Sequence, residues 1–424
     1  MKSLKNWQTS IRAGALDAAF ARLYPGAKAA TCRRRYLALL AFYRAQFGET
    51  DAAALVSAPG RTEIGGNHTD HENGKVLASA VDLDMLALVS PDGSDTVTLA
   101  SEGFGTISVS LKTLVPCENE KNTTAALVRG MAASLAQDGV TLRGGKLAVT
   151  SAVPPGSGLS SSAAFEMLLG TALCALAGVR APEPAKLARM GREAENRFFG
   201  KPCGLIDQSA CVVGGVCAMD FCDPDAPKIR SVPFPENDYV LCLVSAGGHA
   251  DLTADYAAIP REMKAVAASF GKTVLREVPE KEFYARLPAL RAALGDRAVL
   301  RAMHFYRDEG YVDDAVAAVR KTDFPAFLAG IRASGRSSLL CLQNIWNDQL
   351  IQPLTVALAV CEDAAGPDGA VRVHGGGFGG TVMAWVPASR TAAFKKRVEA
   401  LLGPDTCRAV RLRPVGTLEI GGTI

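Results

Sequence analysis

A run of glycine and serine, GSGLSSSAA from Gly156 to Ala164, lies between an apolar stretch, Leu147–Val153, and a helix-like segment, Phe165–Leu176. The pattern predicts a strand that feeds a turn and then a helix. Such a turn aims backbone N–H groups and the positive end of a helix dipole at one point. Phosphate suits that cradle best, and the consecutive serines add hydroxyls able to bind phosphate oxygens or a metal. No Gly-Lys-Ser/Thr follows, so this is not a Walker A loop. The plainer reading is a small-residue loop with a serine N-cap.

At 424 residues the chain is long enough for two or three domains with their own cores. Lys and Arg total 46 against 43 for Asp and Glu. That balance argues against a dedicated nucleic-acid or membrane-surface binder. The 11 cysteines include no metal-type Cys-x-x-Cys pair, so reduced, buried thiols are expected. CVVGGVCAMDFC, which holds Cys211, Cys217 and Cys222, reads as a buried hairpin turning at Gly214-Gly215. No secretory signal or bilayer-length apolar run is evident, and a cytoplasmic protein is the expectation.

The first stretch reads as helical, with Tyr36–Phe47 its most amphipathic piece. Strands are expected over Val76–Val89, Thr96–Ala100 and Lys146–Val153, and helices over Asn122–Gln137 and Pro184–Phe199. A strand over YVLCLVSAG from Tyr239 precedes a largely helical stretch, Tyr256 to near Gly366. The last part reads strand (Val371–Val373), glycine loop, strand (Thr381–Val386), helix (Ser389–Leu402), strand (Cys407–Leu412). Segregated strands and helices of this kind suggest an α+β fold. A compact junction near residue 230 divides the chain into an N-terminal lobe, 1–230, and a C-terminal lobe, 231–424.

Three further clusters carry polar chemistry. GGGFGG, Gly375–Gly380, is a second glycine loop that could brace the first or line a phosphate site. APGRTEIGGNHTDH places Arg61, Glu63, Asn67, His68, Asp70 and His71 in a glycine-rich segment, read as a loop. Metal ligation by His68 and His71 is one reading of it; polyol recognition, which needs donors and acceptors together, is another. In CGLIDQ, Cys203–Gln208, a carboxylate sits in an apolar stretch and needs a partner, for which Arg61 is the natural candidate.

In combination these segments resemble the galactokinase family of the GHMP kinases. The family's GRVNLIGEHTDY is similar to Gly60–His71, its GLSSSAS to Gly158–Ala164, its AENxFxGxxCGxxDQ to Ala194–Gln208, and its GxGFGG to Gly375–Gly380. RAMHFYRDEGYVDDA, from Arg301, also looks like a family helix. The resemblance implies a two-lobed fold of mixed sheets and flanking helices, with the active site in the cleft between lobes. It implies an ATP-dependent sugar-1-kinase, with galactose as the sugar. Asp207 and Arg61 take the catalytic positions. Asn67, His68, Asp70, Gly204 and Tyr256 take the sugar positions, Tyr256 by the loosest match. Gly156, Ser157, Gly158, Leu159, Ser160, Ser161 and Ser162 fall on the nucleotide loop. Ser162 and Glu195 match the ligands of a magnesium ion. The partners so implied are a small sugar and ATP, with no nucleic acid or membrane, in a monomer or weak homodimer.

Departures from the family pattern bear on the sugar. Asn67 replaces the family glutamate, Glu63 an asparagine, Gly65 an isoleucine and His71 a tyrosine. Loss of an anionic acceptor at 67 would weaken one hydroxyl contact by about 1.5–3 kcal/mol. N-acetylgalactosamine, arabinose and galacturonate are therefore alternatives to galactose. A non-catalytic sugar sensor and a mevalonate- or homoserine-type kinase are the other readings. An intact Ser162-Ala163 pair speaks for the enzyme, and no sharp motif separates ATP from GTP. The usual SHxSL segment is altered at Ser334–Leu339, and an N-terminal extension precedes the family's start.

Overall fold

The computed structural model describes residues 1–154, 156–247, 252–378 and 380–421. Three helices open the chain: α1 (Leu4–Arg12), α2 (Asp17–Leu23) and α3 (Ala29–Phe47). Strands β1 (Ala54–Gly65), β2 (Lys75–Pro91), β3 (Thr96–Ser101), β4 (Gly105–Ser110) and β5 (Gly145–Ser151) follow, with α4 (Thr124–Gln137) ahead of β5. Next come α5 (Ser161–Ala177), α6 (Pro184–Glu193) and α7 (Ile206–Val213), then β6 (Val216–Asp220), β7 (Lys228–Val232) and β8 (Tyr239–Ser245). Helices α8 (Thr253–Ala268), α9 (Glu280–Ala285), α10 (Leu287–Leu294), α11 (Asp296–Arg320), α12 (Phe324–Ser337) and α13 (Pro353–Ala365) form the helical stretch. The chain closes with β9 (Ala370–His374), β10 (Thr381–Pro387), α14 (Thr391–Leu402), β11 (Cys407–Val410) and β12 (Leu418–Ile420).

An eight-stranded sheet runs β12-β1-β2-β5-β3-β4, with β6 also on β2 and β7 on β6; a four-stranded sheet runs β11-β8-β10-β9. Only the β3–β5 pairing is parallel among those described. Because side chains alternate along a strand, the large sheet has two different faces. Val56, Ala87 and Val149 pack with α4 and α5, whereas Leu55, Leu86, Leu88 and Ala148 pack with Trp7, Phe20, Tyr36 and Leu39 of α1–α3. The N-terminal extension is thus a structural layer. α5 is apolar almost all round, as a helix enclosed by sheet and helices must be. Among the described residues, no helix is long and apolar enough to cross a membrane.

A buried ionic knot ties that layer down. Asp84 of β2 is fully buried; its carboxylate accepts from Tyr24 Oη at 2.7 Å and from Arg413 Nη1 at 3.0 Å, and Arg35 pairs with it as well. Tyr36 Oη meets Tyr24 Oη at 2.9 Å.

Several sequence expectations need correction. The segment around Arg61 is not a loop up to His71: its first part is β1, buried along nearly its whole length, and only residues 66–74 leave the sheet. Two irregularities of register, at Pro59/Arg61 and Glu63/Gly65, let glycines sit in a strand and re-aim its side chains. CVVGGVCAMDFC is no hairpin. It is the end of α7 and strand β6, joined at Gly214, where an added Cβ would come within 2.0 Å of the Gly416 backbone. The Pro184–Phe199 helix changes to a π-helical turn at Ala194–Phe199. The junction near 230 falls inside β7, and β12 returns to the N-terminal sheet, so that sheet draws on both ends of the chain.

Candidate active site

The serine loop bridges β5 and α5, as its sequence predicts. Gly156, Gly158 and Ser160 take φ of 70°, 72° and 54°, a left-handed geometry that glycine adopts without cost. Ser160 stands at the N-cap of α5 but does not cap it. Its hydroxyl donates instead to Asp207 Oδ2 at 2.6 Å. The first N–H groups of α5 are thereby left without a serine side-chain cap, available to an anionic ligand. Ser161 and Ser162 line a cavity of about 610 Å³ with Met85, Leu99, Phe104 and Phe165.

Asp207 lies in the first turn of α7, facing that loop across β1. Arg61 Nε and Nη2 both approach Asp207 Oδ1 at 2.7 Å, and Arg61 Nη1 donates to the Gly158 carbonyl. The carboxylate side chain keeps 35% of its exposure, so it is fixed yet open to solvent. Residues distant in sequence thus meet as expected. The strand that follows the glycine loop braces the serine loop: Thr381 Oγ1, at the start of β10, donates to the Ser157 carbonyl at 2.9 Å.

Residues 66–74, which leave the sheet after β1, gather a second polar cluster. His68 holds φ 58°, and its Nε2 is 3.0 Å from the Gly376 carbonyl. A carbonyl only accepts, so Nε2 carries the hydrogen and Nδ1 is left as an acceptor. Burial, reinforced by His71, pushes the His68 imidazole down to about 4, which keeps it neutral at pH 7. Tyr256 stacks on His68 with ring centroids 6.4 Å apart and donates to the Gly377 carbonyl at 3.2 Å. An added Cβ at Gly204 would lie 2.9 Å from Asp70 Oδ2, so these two are neighbours. Asn67 departs from expectation. It is 1% exposed and bonded to protein groups, with Nδ2 donating to Glu63 Oε1 (2.9 Å) and the Gly375 carbonyl (2.6 Å). Among the described residues no cluster of three or more His, Cys, Asp or Glu is arranged for a metal, His68 and His71 included.

Glu195 is buried; Gln208 Nε2 donates to its Oε2 at 3.2 Å, and Lys201 Nζ forms an ion pair with its Oε1 at 3.6 Å. Gln208 Nε2 also donates to Glu166 at 2.9 Å, whose second carboxylate oxygen has no partner. Burial and the facing Glu195 hold the Glu166 carboxyl well above its usual range. Glu166 lies one turn after Ser162 on α5. The buried Glu195 carboxylate and the orphan Glu166 oxygen are donors of the kind that a small hard divalent cation such as magnesium takes.

Residues 126–215 match the GHMP kinases N terminal domain, and residues 41–91 the galactokinase galactose-binding signature. The galactokinase of Actinobacillus pleuropneumoniae serotype 5b is 30% identical over 350 residues, spanning 81% of this chain and 88% of that protein. The chain belongs to the galactokinase family. A second galactokinase, from Glaesserella parasuis serovar 5, is 29% identical over 345 residues, or 81% and 88% of the two chains. The fold of Lactococcus lactis galactokinase, solved with galactose, superposes with a TM-score of 0.78 at 24% identity, covering 91% of this chain and 100% of that one. A Bacteroides thetaiotaomicron D-glycero-D-manno-heptose 1-phosphate kinase gives 0.60 at 16% identity, over 87% and 98%. The α+β, two-sheet architecture is that of the GHMP kinases. The Asn67 and Glu63 side chains, both departures from the family pattern, touch each other.

Sequence reasoning missed the residues that hold this site from behind. Asp308 Oδ2 accepts from the N–H groups of Gly66 and Asn67 at 3.0 and 2.8 Å, and His304 Nε2 meets the Asn67 carbonyl at 2.8 Å. His374 Nε2 takes Thr62 Oγ1 at 2.9 Å and the Glu63 N–H at 3.2 Å. A signal existed: His304 and Asp308 stand i,i+4 on α11, and Arg372 and His374 alternate along a short apolar strand. Polar residues repeated on a core-facing side need partners elsewhere.

Proposed function

We propose that this protein is a galactokinase in the full sense: a cytoplasmic enzyme that transfers the ATP γ-phosphate to the anomeric hydroxyl of galactose. The Asp207 carboxylate carries this reading. It is pinned by Arg61 and Ser160 beside the phosphate loop, and its side chain still keeps 35% exposure. Asp207 accepts the proton of the attacking hydroxyl, and Arg61 keeps it ionised and steadies developing charge. His68 Nδ1 and the Asp70 carboxylate accept from sugar hydroxyls, Gly204 gives the sugar room beside Asp70, and Tyr256 forms an aromatic wall. Backbone amides of Gly156–Ser162 hold the phosphates, and the cavity lined by Met85, Leu99 and Phe165 takes the purine. Ser162 and Glu195 would hold a magnesium ion, which would neutralise phosphate charge during a loose phosphoryl transfer. Eleven free thiols agree with a reducing compartment.

A coupled ADP-release assay with ATP, magnesium and free sugars tests the proposal. Galactose, N-acetylgalactosamine, arabinose, galacturonate and glucose form the panel, with mevalonate as the outgroup. Turnover on galactose above the other sugars is the expected result. Preference for another sugar would replace galactose, and silence with a sugar-induced thermal shift would mark a sensor.

The phosphate loop offers a second test. Gly158 sits at φ +72°, where an added Cβ would lie 2.9 Å from His374 Nδ1. The left-handed conformation alone costs a non-glycine residue about 1–2 kcal/mol. Gly158→Ala should therefore reduce kcat/KM for ATP by roughly tenfold or more, measured with galactose saturating. An unchanged value would remove Gly158 from the nucleotide site.

A further inference from the structure

We propose that Asn67 is a positioning residue: its carboxamide latches the sugar loop to the glycine loop, with Asn344 as its partner and Glu63 as its anchor. The inference rests on the kinase reading for what the latch serves, and on geometry alone for the latch itself. A carboxamide has two N–H donors and one acceptor oxygen. Both donors of Asn67 are spent, one on Glu63 Oε1 at 2.9 Å and one on the Gly375 carbonyl at 2.6 Å. Its oxygen accepts from Asn344 Nδ2 at 2.7 Å. With 1% of its surface exposed, the side chain has little left to offer a sugar.

Each partner is itself held. Arg372, fully buried, approaches Glu63 at 3.2 Å and holds the anchor in place. Asn344 comes from the segment after α12 and is stitched to the glycine loop twice more. Its Nδ2 lies 3.1 Å from the Gly376 carbonyl, and its own carbonyl accepts from the Phe378 N–H at 2.6 Å. An added Cβ at Gly377 would fall 2.1 Å from that same carbonyl, so glycine permits the approach. Three segments thus converge on one amide: the loop after β1, the loop after β9 and the turn after α12. The next residue is His68, whose ring is bonded to Gly376. The latch therefore sets the ring that faces the sugar.

The polarity of the amide decides the function, which gives a discriminating variant. Asn67→Asp keeps the shape but turns two donors into acceptors facing a carboxylate and a carbonyl. A sugar-contacting residue would keep its acceptor in that variant and lose little. Asn344→Ala removes the partner, which makes no sugar contact in either reading.

The test combines galactose kinetics with hydrogen exchange on the sugar-free protein. Each variant should lower kcat/KM for galactose by roughly tenfold or more, with KM rising more than kcat falls. Asn67→Asp/Asn344→Ala should be no worse than the poorer single variant. Exchange should quicken together in residues 66–74 and 375–378, while α1–α3 stay unchanged. An unaltered galactose KM in Asn344→Ala, or exchange that stays slow in both loops, would overturn the latch. Should the wild-type protein phosphorylate no sugar, the kinase reading fails, and the exchange data still decide the latch.

Discussion

Asp207→Asn is expected to lower kcat by about 10²–10⁴-fold, the range that a positioned general base contributes, while the protein stays folded. The isosteric amide is the sharper variant because of what surrounds the carboxylate. Arg61 is 8% exposed, and its guanidinium is bonded to Asp207 and the Gly158 carbonyl. Truncation to alanine would leave a buried cation short of its partner, and lost activity could then be confused with a displaced phosphate loop. Asparagine keeps an oxygen for Arg61 and an NH₂ that Ser160 Oγ can receive, but it cannot accept the substrate proton at neutral pH. Single-turnover kinetics with thermal melting separate the effects. Activity within about tenfold of wild type would show that alignment, rather than proton removal, dominates, as a loose phosphoryl-transfer transition state permits.

Asp84→Ala should be the most damaging substitution far from the site. Removing one member of a buried ion pair costs about 3–5 kcal/mol, because the remaining charge is stranded. Here two arginines would be stranded: Arg413, fully buried, and Arg35, whose side chain is 28% exposed. Tyr24 would also lose its acceptor. The matching control is Asp313→Ala. Its bond to Lys75 joins a side chain 62% exposed, and such pairs contribute about 0–1 kcal/mol. Urea denaturation followed by circular dichroism should show a large shift for the first variant and little for the second. Equal shifts would mean that the knot is not what holds α1–α3 in place.

Much of the site could be read directly from sequence because its chemistry is concentrated in short runs. Gly156–Ser162 had to be a loop between strand and helix, and Asp207 had to find a cation in an apolar stretch. Reading became unreliable where local composition and tertiary burial disagreed. Glycines at 60 and 65 suggested a loop, yet register irregularities accommodate them inside a buried strand. Gly214-Gly215 suggested a hairpin; instead the glycines clear a path for the chain around Gly416. The match to the family glutamate puts Asn67 against the sugar. Its actual surroundings come from Gly375 and Asn344, some 300 residues away in sequence, which no local pattern could place.

The return of β12 to β1 governs how the molecule can be made. Leu55 pairs with Ile420 and Ser57 with Leu418, while Arg413 reaches Asp84 on the neighbouring strand. A ribosome therefore completes the N-terminal sheet only after residue 420 has emerged, although its first strand was synthesised at residue 54. Until then one edge of β1 waits without its partner strand, and Asp84, already met by Arg35 and Tyr24, lacks Arg413. An unpaired edge of this kind invites association between nascent chains. Closure across so long a separation in sequence is slow. Production at low temperature or with chaperone assistance should accordingly raise the soluble yield, and truncation before Arg413 should send the protein to aggregates.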